Sequence, residues 1–182
     1  NLLSYDRARP LHVYDLAKIG STIRARQGAG QTDNFVALDG ESYTPAPHHC
    51  VIADDERCLG FGGVMGGEFS GCNAETTDVF IESAYFDPAI TRKTGRETGI
   101  DSDAKYRFER GVDTGFVIDG LELASKLVMQ LCGGEASEVF VAGEVPADPE
   151  AISFDPARVR RLTGLDLSED RIEAILTALG FD

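Results

Sequence analysis

The sequence predicts an α+β fold: a mixed, largely antiparallel sheet with packed helices, then a short C-terminal helical piece. Three observations point there. The first half is a succession of short β-forming runs separated by turn residues. The middle carries segments with helical spacing and recognisable start and stop signals. An acidic, proline-containing stretch then sets a second pair of short helical segments apart from the rest.

The elements follow in order. "TIRARQ" (22–27) and "NFVAL" (34–38) read as strands. Asp39-Gly40 is a hairpin signal, because such turns need positive φ, and "SYT" (42–44) starts the return strand. "CVIA" (50–53) and "CLGFGG" (58–63) flank the turn "DDER" as a second hairpin. "TDVFIESAYF" (77–86) reads as a longer strand, with Phe80, Glu82, Ala84 and Phe86 sharing one face.

Asp87-Pro88 supplies an N-cap and a first-turn proline for a helix over "AITRKTGRETG" (89–99). A long helix fits residues 114–132, with Val117, Leu121, Ala124, Val128 and Leu131 on one stripe and Gly133-Gly134 as its stop. "EVFVAG" (138–143) reads as a closing strand and "EVPADPE" (144–150) as a linker. "AISF" (151–154) then starts a new unit as a short strand. Asp155-Pro156 opens a helix to Thr163, stopped by Gly164, and Ser168 caps a last helix carrying Ile172, Ile175, Leu176 and Leu179. These signals divide the chain into domains at 1–148 and 149–182. The second piece is too small for its own core and reads as the start of a further domain. With no initiator Met, the chain reads as part of a longer protein, truncated at its N-terminus as well.

Composition narrows the function classes. The formal net charge of −14 argues against broad, sequence-independent nucleic-acid binding, which depends on neutralising phosphates. One window, 91–110, is locally basic, with six basic and four acidic residues; its plainest reading is a salt-bridged helix face. No apolar run reaches the roughly 20 residues of a membrane span, so no membrane is expected. The four cysteines form no CxxC pair, and His48-His49-Cys50 with Cys58 and Cys72 fits no zinc spacing, so no metal is expected; scattered thiols suit a reducing cytoplasm.

Two features ask for an explanation. "GFGGVMGGEFSG" (60–71) is half glycine, yet it has no Lys where a Walker loop needs one, and Met65 stands where a dinucleotide fingerprint needs its third Gly. Its glycines either form a bulged hairpin or let backbone line a pocket. Glu82 is the second feature. A carboxylate on an apolar strand face needs a partner or a task, unless that face is the solvent face.

"RPLHVYDLAKIG" (9–20), "LDG" (38–40), the glycine stretch, "VFIESAYFDP" (79–88), "GIDSDAKYRFERGVD" (99–113) and "LCGGEAS" (131–137) occur together in this order. In this the chain resembles the β-subunit of bacterial phenylalanyl-tRNA synthetases, over their editing domain and the start of the small helical domain after it. The resemblance implies an editing hydrolase that clears Tyr-tRNA(Phe), the mischarged ester. It implies site residues at His12, Gly66, Glu82, Ser102 and Ala104: His12 and Ser102 at the chemistry, Gly66, Glu82 and Ala104 around the substrate, with Glu82 sensing the tyrosine hydroxyl. Three positions depart from the family pattern: "HVYD" replaces "HAFD", Ser102 replaces Thr, and Lys105 replaces a smaller residue. It further implies the acceptor end of tRNA(Phe) and a synthetase α-subunit, in an α2β2 heterotetramer, as partners. ATP and Mg²⁺ would serve the whole enzyme, with no cofactor in this fragment. A domain of the same synthetase that docks tRNA without catalysis is the alternative, and for His12 the alternative is a core or helix-capping histidine.

Overall fold

The computed structural model describes residues 2–144, 146 and 151–181. Two compact units divide the chain, Asn1–Ala147 and Asp148–Asp182. In order, the first unit holds α1 (Leu2–Arg7), β1 (His12–Asp15), β2 (Arg24–Gln27), β3 (Phe35–Val36), β4 (Ser42–Tyr43), β5 (Cys50–Ala53), β6 (Cys58–Phe61), β7 (Met65–Gly66) and β8 (Val79–Glu82). Then come α2 (Pro88–Thr98), α3 (Asp103–Phe108) and α4 (Phe116–Cys132). The second unit holds α5 (Ala157–Thr163) and α6 (Glu169–Ala178).

The fold is α+β, and its strand pairs are antiparallel throughout the described residues. The sheet is not one surface but three: β2-β5-β6-β7, β1-β8 and β3-β4. The hairpin signals act as expected. Asp39-Gly40 turns β3 into β4 with Gly40 at φ 83°, and β5 pairs with β6 across the 54–57 turn. Strands β5 and β6 are apolar on both faces because both faces are covered. Val51, Cys58 and Phe61 enter one core with Phe35, Val64 and Ile100; Ile52 and Leu59 enter another with Tyr14, Phe86 and Phe108.

Capping sets the helices. The Asp87 side chain accepts from the backbone N–H groups of Ala89 and Ile90, and Gly99 ends α2 in the left-handed region at φ 72°. Ser168 caps α6 in the same way, and Gly164 closes α5 at φ 77°. On α4 the expected stripe is buried at Val117 and Ala124 but opens to solvent by Leu131. In the second unit Ile172 is the one buried apolar side chain among the described residues.

Three expectations need correction. The strand over 77–86 stops at Glu82, because its partner β1 offers only four residues; beyond it, Ser83 Oγ donates to the Val117 carbonyl and the Ala84 carbonyl accepts from Arg9. Residues 138–143 form no strand. No strand lies beside them to complete a ladder, and Val139, Phe140 and Val141 are exposed. Residues 151–154 are likewise irregular. Most of the 144–150 linker lies outside the described residues.

Candidate active site

Strand register builds the site. In the β1–β8 pair His12 stands opposite Glu82, and Tyr14 stands opposite Phe80. Directly opposed residues project to the same side of a sheet, so these four side chains share one face. On that face the cavity is lined by His12, Tyr14, Gly66, Glu82, Ala104 and Phe108, among others. Its volume is about 60 Å³.

Glu82 is the carboxylate of this cavity, beside the polar groups of His12 and Tyr14. Tyr14, 2% exposed, donates its phenol hydroxyl to Glu82 Oε2 at 2.7 Å. That is the one hydrogen bond to Glu82 among the described residues. Burial raises the Glu82 carboxyl above its usual range, and the Tyr14 hydrogen bond opposes that shift. The same burial and the neighbouring carboxylate push the Tyr14 phenol far up, so it stays protonated and donates to Glu82. The "HVYD" departure thus supplies Glu82 with an internal phenol.

His12 packs its ring edge-to-face on Tyr14, with centroids 4.4 Å apart. Its Nε2 is buried without a hydrogen-bond partner among the described residues, which costs about 1–3 kcal/mol. Burial lowers its pKa, so the ring is neutral at physiological pH and one nitrogen keeps a free lone pair.

The glycine stretch has a steric reason at two points. A Cβ on Gly66 would lie 2.5 Å from His12 Nε2, so only glycine lets the imidazole lie against this backbone. Gly63 turns β6 into β7 at φ 71°, and a Cβ there would lie 2.8 Å from the Phe86 ring.

Ala104 sits one turn before Phe108 on α3, and both side chains face the cavity. Ser102 is not part of the lining. It caps α3 by accepting from the Lys105 N–H at 3.1 Å, and it donates to the Val64 carbonyl at 2.6 Å. Its hydroxyl therefore positions α3 and the β6–β7 turn. Lys105 packs on α2 at Gly95 and pairs with Asp101 (3.7 Å) and Glu109 (3.8 Å), so it holds helices together and does not face the cavity.

A His-Glu cluster lies elsewhere: His48, His49 and Glu97 bring their donor atoms within 4.8 Å of one another, without any cysteine. His49 Nδ1 accepts from the Ala46 N–H at 3.2 Å, so its Nε2 carries the proton that it gives to Glu97 at 2.9 Å. A cation there would have to displace that proton, and the cluster works as a tie between β5 and α2.

A family model for the "B3/4 domain" matches residues 1–133, which include every residue of the cavity. The chain belongs to the B3/4 domain family. Its relatives include the phenylalanine–tRNA ligase beta subunits of Rhodopseudomonas palustris, 51% identical over 182 residues, and Rhodospirillum rubrum, 50% identical over 181. These alignments cover 100% and 99% of the chain but 22% of each relative, so the chain spans about a fifth of their length. A solved N-terminal fragment of the phenylalanyl-tRNA synthetase β-subunit from Pyrococcus horikoshii covers 96% of the chain, as 51% of its own length, at 16% identity and a TM-score of 0.39, too low to bear on function. Of the residues the resemblance implied, His12, Gly66, Glu82 and Ala104 line the cavity and Ser102 does not; Glu82 also stood out by strand alternation. Sequence reasoning missed Tyr14 as a site residue, although a Tyr in place of Phe beside His12 was the available signal.

Proposed function

We propose that this B3/4 domain is the editing hydrolase of a phenylalanine–tRNA ligase β-subunit and clears Tyr-tRNA(Phe). The observation that carries the reading is the one carboxylate among the described cavity-lining residues, with one oxygen satisfied by Tyr14 and the other open. Tyrosine and phenylalanine share a ring, so the synthetic pocket cannot strongly reject the one with an added hydroxyl. A second pocket can discriminate the other way. The substrate phenol hydrogen-bonds Glu82 Oε1, while a phenylalanyl ring leaves that oxygen unpaired. Sites built to bond a hydroxyl discriminate by roughly 10⁴–10⁵.

The cavity must open to admit the ring. Its 60 Å³ is below the roughly 150 Å³ that holds a benzene. Met65, half-buried in the lining, has the most rotatable side chain with which to yield.

Hydrolysis needs a water held against the ester. The unpartnered, neutral His12 Nε2 is the group that fits this role, as acceptor for a water proton. Ser102 is the positioning residue, because both functions of its hydroxyl are spent. Glu82, Gly66 and Ala104 bound the substrate. The acceptor end of tRNA(Phe) delivers the ester, a synthetase α-subunit completes the enzyme in the cytoplasm, and ATP with Mg²⁺ serves the charging reaction elsewhere in it.

The test is deacylation of Tyr-tRNA(Phe) and Phe-tRNA(Phe) by the full synthetase. Clearance of the tyrosyl ester alone supports editing. Clearance of neither leaves the domain a docking scaffold.

A further inference from the structure

Back to back with the cavity lies a second cleft, of about 260 Å³, that the proposed hydrolysis does not use. Four arginines line it, Arg7, Arg9, Arg107 and Arg110, against one carboxylate, Asp113. Arg9 is the telling member. It is 2% exposed, and among the described residues no carboxylate comes within 4.0 Å of it. Its guanidinium donates only to backbone carbonyls: Nη2 to Asp113 at 2.9 Å, Nε to Phe116 at 3.3 Å and Nη1 to Ala84 at 3.4 Å. Asp113 turns its own Oδ1 to the Gly115 N–H. Burial pushes the Arg9 pKa down, and the neighbouring Asp113 carboxylate opposes that shift.

The rest of the cleft adds hydrogen-bond donors. Helix α4, of 17 residues, starts at its wall with no side-chain cap; the Val117 N–H bonds the Thr114 carbonyl, and Asp119 stands in the first turn. Arg110 stacks its guanidinium on the Tyr106 ring at 3.7 Å, and Tyr106 also lines the cleft. Each rim arginine meets its carboxylate neighbour through one nitrogen: Arg7 through Nε to Asp6, Arg107 through Nε to Asp103, Arg110 through Nη1 to Glu109. The remaining fork nitrogens suit an oxyanion. A buried cation that makes no direct carboxylate contact, beside a rim of arginines, leaves room for an anion.

The same two segments separate this cleft from the first cavity. Arg9 and His12 are three residues apart, within about 11 Å along the chain. On α3, Ala104 and Phe108 face the cavity while Tyr106 and Arg107 face the cleft. We propose that the arginine cleft grips a phosphate of the RNA strand whose terminal ester enters the neighbouring cavity. This rests on the editing reading for the identity of the RNA, but the anion site itself stands on the arginines.

The experiment uses the full synthetase with Arg110→Gln and, as a second variant on the opposite rim, Arg7→Gln; thermal midpoints check that both fold. Hydroxyl-radical footprinting with uncharged tRNA(Phe) is the deciding readout. Protection of the acceptor strand should weaken in both variants while protection elsewhere stays. In deacylation, KM for Tyr-tRNA(Phe) should rise several-fold, its log–log salt slope falling by roughly one per lost contact, and kcat should hold. Unchanged acceptor-strand protection overturns the proposal, whatever the wild type does to the ester. A changed footprint in an enzyme that clears no ester keeps the cleft and defeats editing instead.

Discussion

Tyr14 donates its phenol to Glu82 at 2.7 Å, so the chain presents to its own carboxylate the group that a tyrosyl substrate would present. The two residues lie on paired strands, diagonal to each other across one face. The bond fixes the Glu82 rotamer and leaves its second oxygen as the open acceptor. Tyr14→Phe should cost about 1–3 kcal/mol in denaturant unfolding, because a buried acceptor loses its donor. It should also raise the Glu82 pKa further, since the bond now opposes the shift. A carbon-13 NMR titration of Glu82 reads this; an unmoved or lower pKa would show that the bond does not hold the carboxylate.

Gly66→Ala should disturb the site through His12, whose ring supplies the three nearest atoms to the added methyl. The added methyl collides with the imidazole, and overpacking of this kind costs about 1–3 kcal/mol. Deacylation should fall with a displaced His12 ring in the crystal, and Gly66→Trp should abolish it. Wild-type rates in Gly66→Ala would mean that the ring's seat against this backbone is irrelevant to the chemistry.

Ser102 separates positioning from nucleophilic attack. Ser102→Ala should lose about 1–2 kcal/mol of stability through the vacated cap, while deacylation is reduced but measurable. Ser102→Thr should restore both. Complete loss of turnover in a well-folded Ser102→Ala protein would assign the hydroxyl to the reaction itself.

The pH dependence of stability has a sign set by Glu82. Its pKa is raised in the fold, so its contribution is full below the unfolded value near 4.5 and is lost as pH rises toward the folded one. Glutamine cannot ionise. The thermal midpoint of Glu82→Gln should therefore gain on wild type as pH climbs from about 4 to about 8. His12, lowered by burial, acts below 6.5 in both proteins and cancels. A flat difference would mean that Glu82 is not desolvated.

Much of the fold was legible because its signals are local. Asp87-Pro88, Ser168 and Asp39-Gly40 act within three residues of themselves, and each is where its chemistry requires. Strands were less legible because a strand needs a partner: "EVFVAG" has β-forming residues but no neighbour, and β8 ends opposite His12, where β1 begins. At the site, the carboxylate on an apolar face could be read from alternation along one strand. Its pairing with Tyr14 could not, because it depends on the register of segments 68 residues apart. The arginine cleft was equally hidden: Arg9 and the 106–113 segment are distant in sequence, and the ion pairs of the basic window mask the nitrogens that Arg107 and Arg110 leave unpaired by carboxylates.

The most direct test of the central claim is the ratio of kcat/KM for Tyr-tRNA(Phe) over Phe-tRNA(Phe) deacylation, in the full synthetase with Glu82 and with Glu82→Ala. The ratio should be large in wild type and collapse toward one in Glu82→Ala, through loss on the tyrosyl ester. A variant that still strongly prefers the tyrosyl ester would contradict it, because the hydroxyl would then be read by some other group.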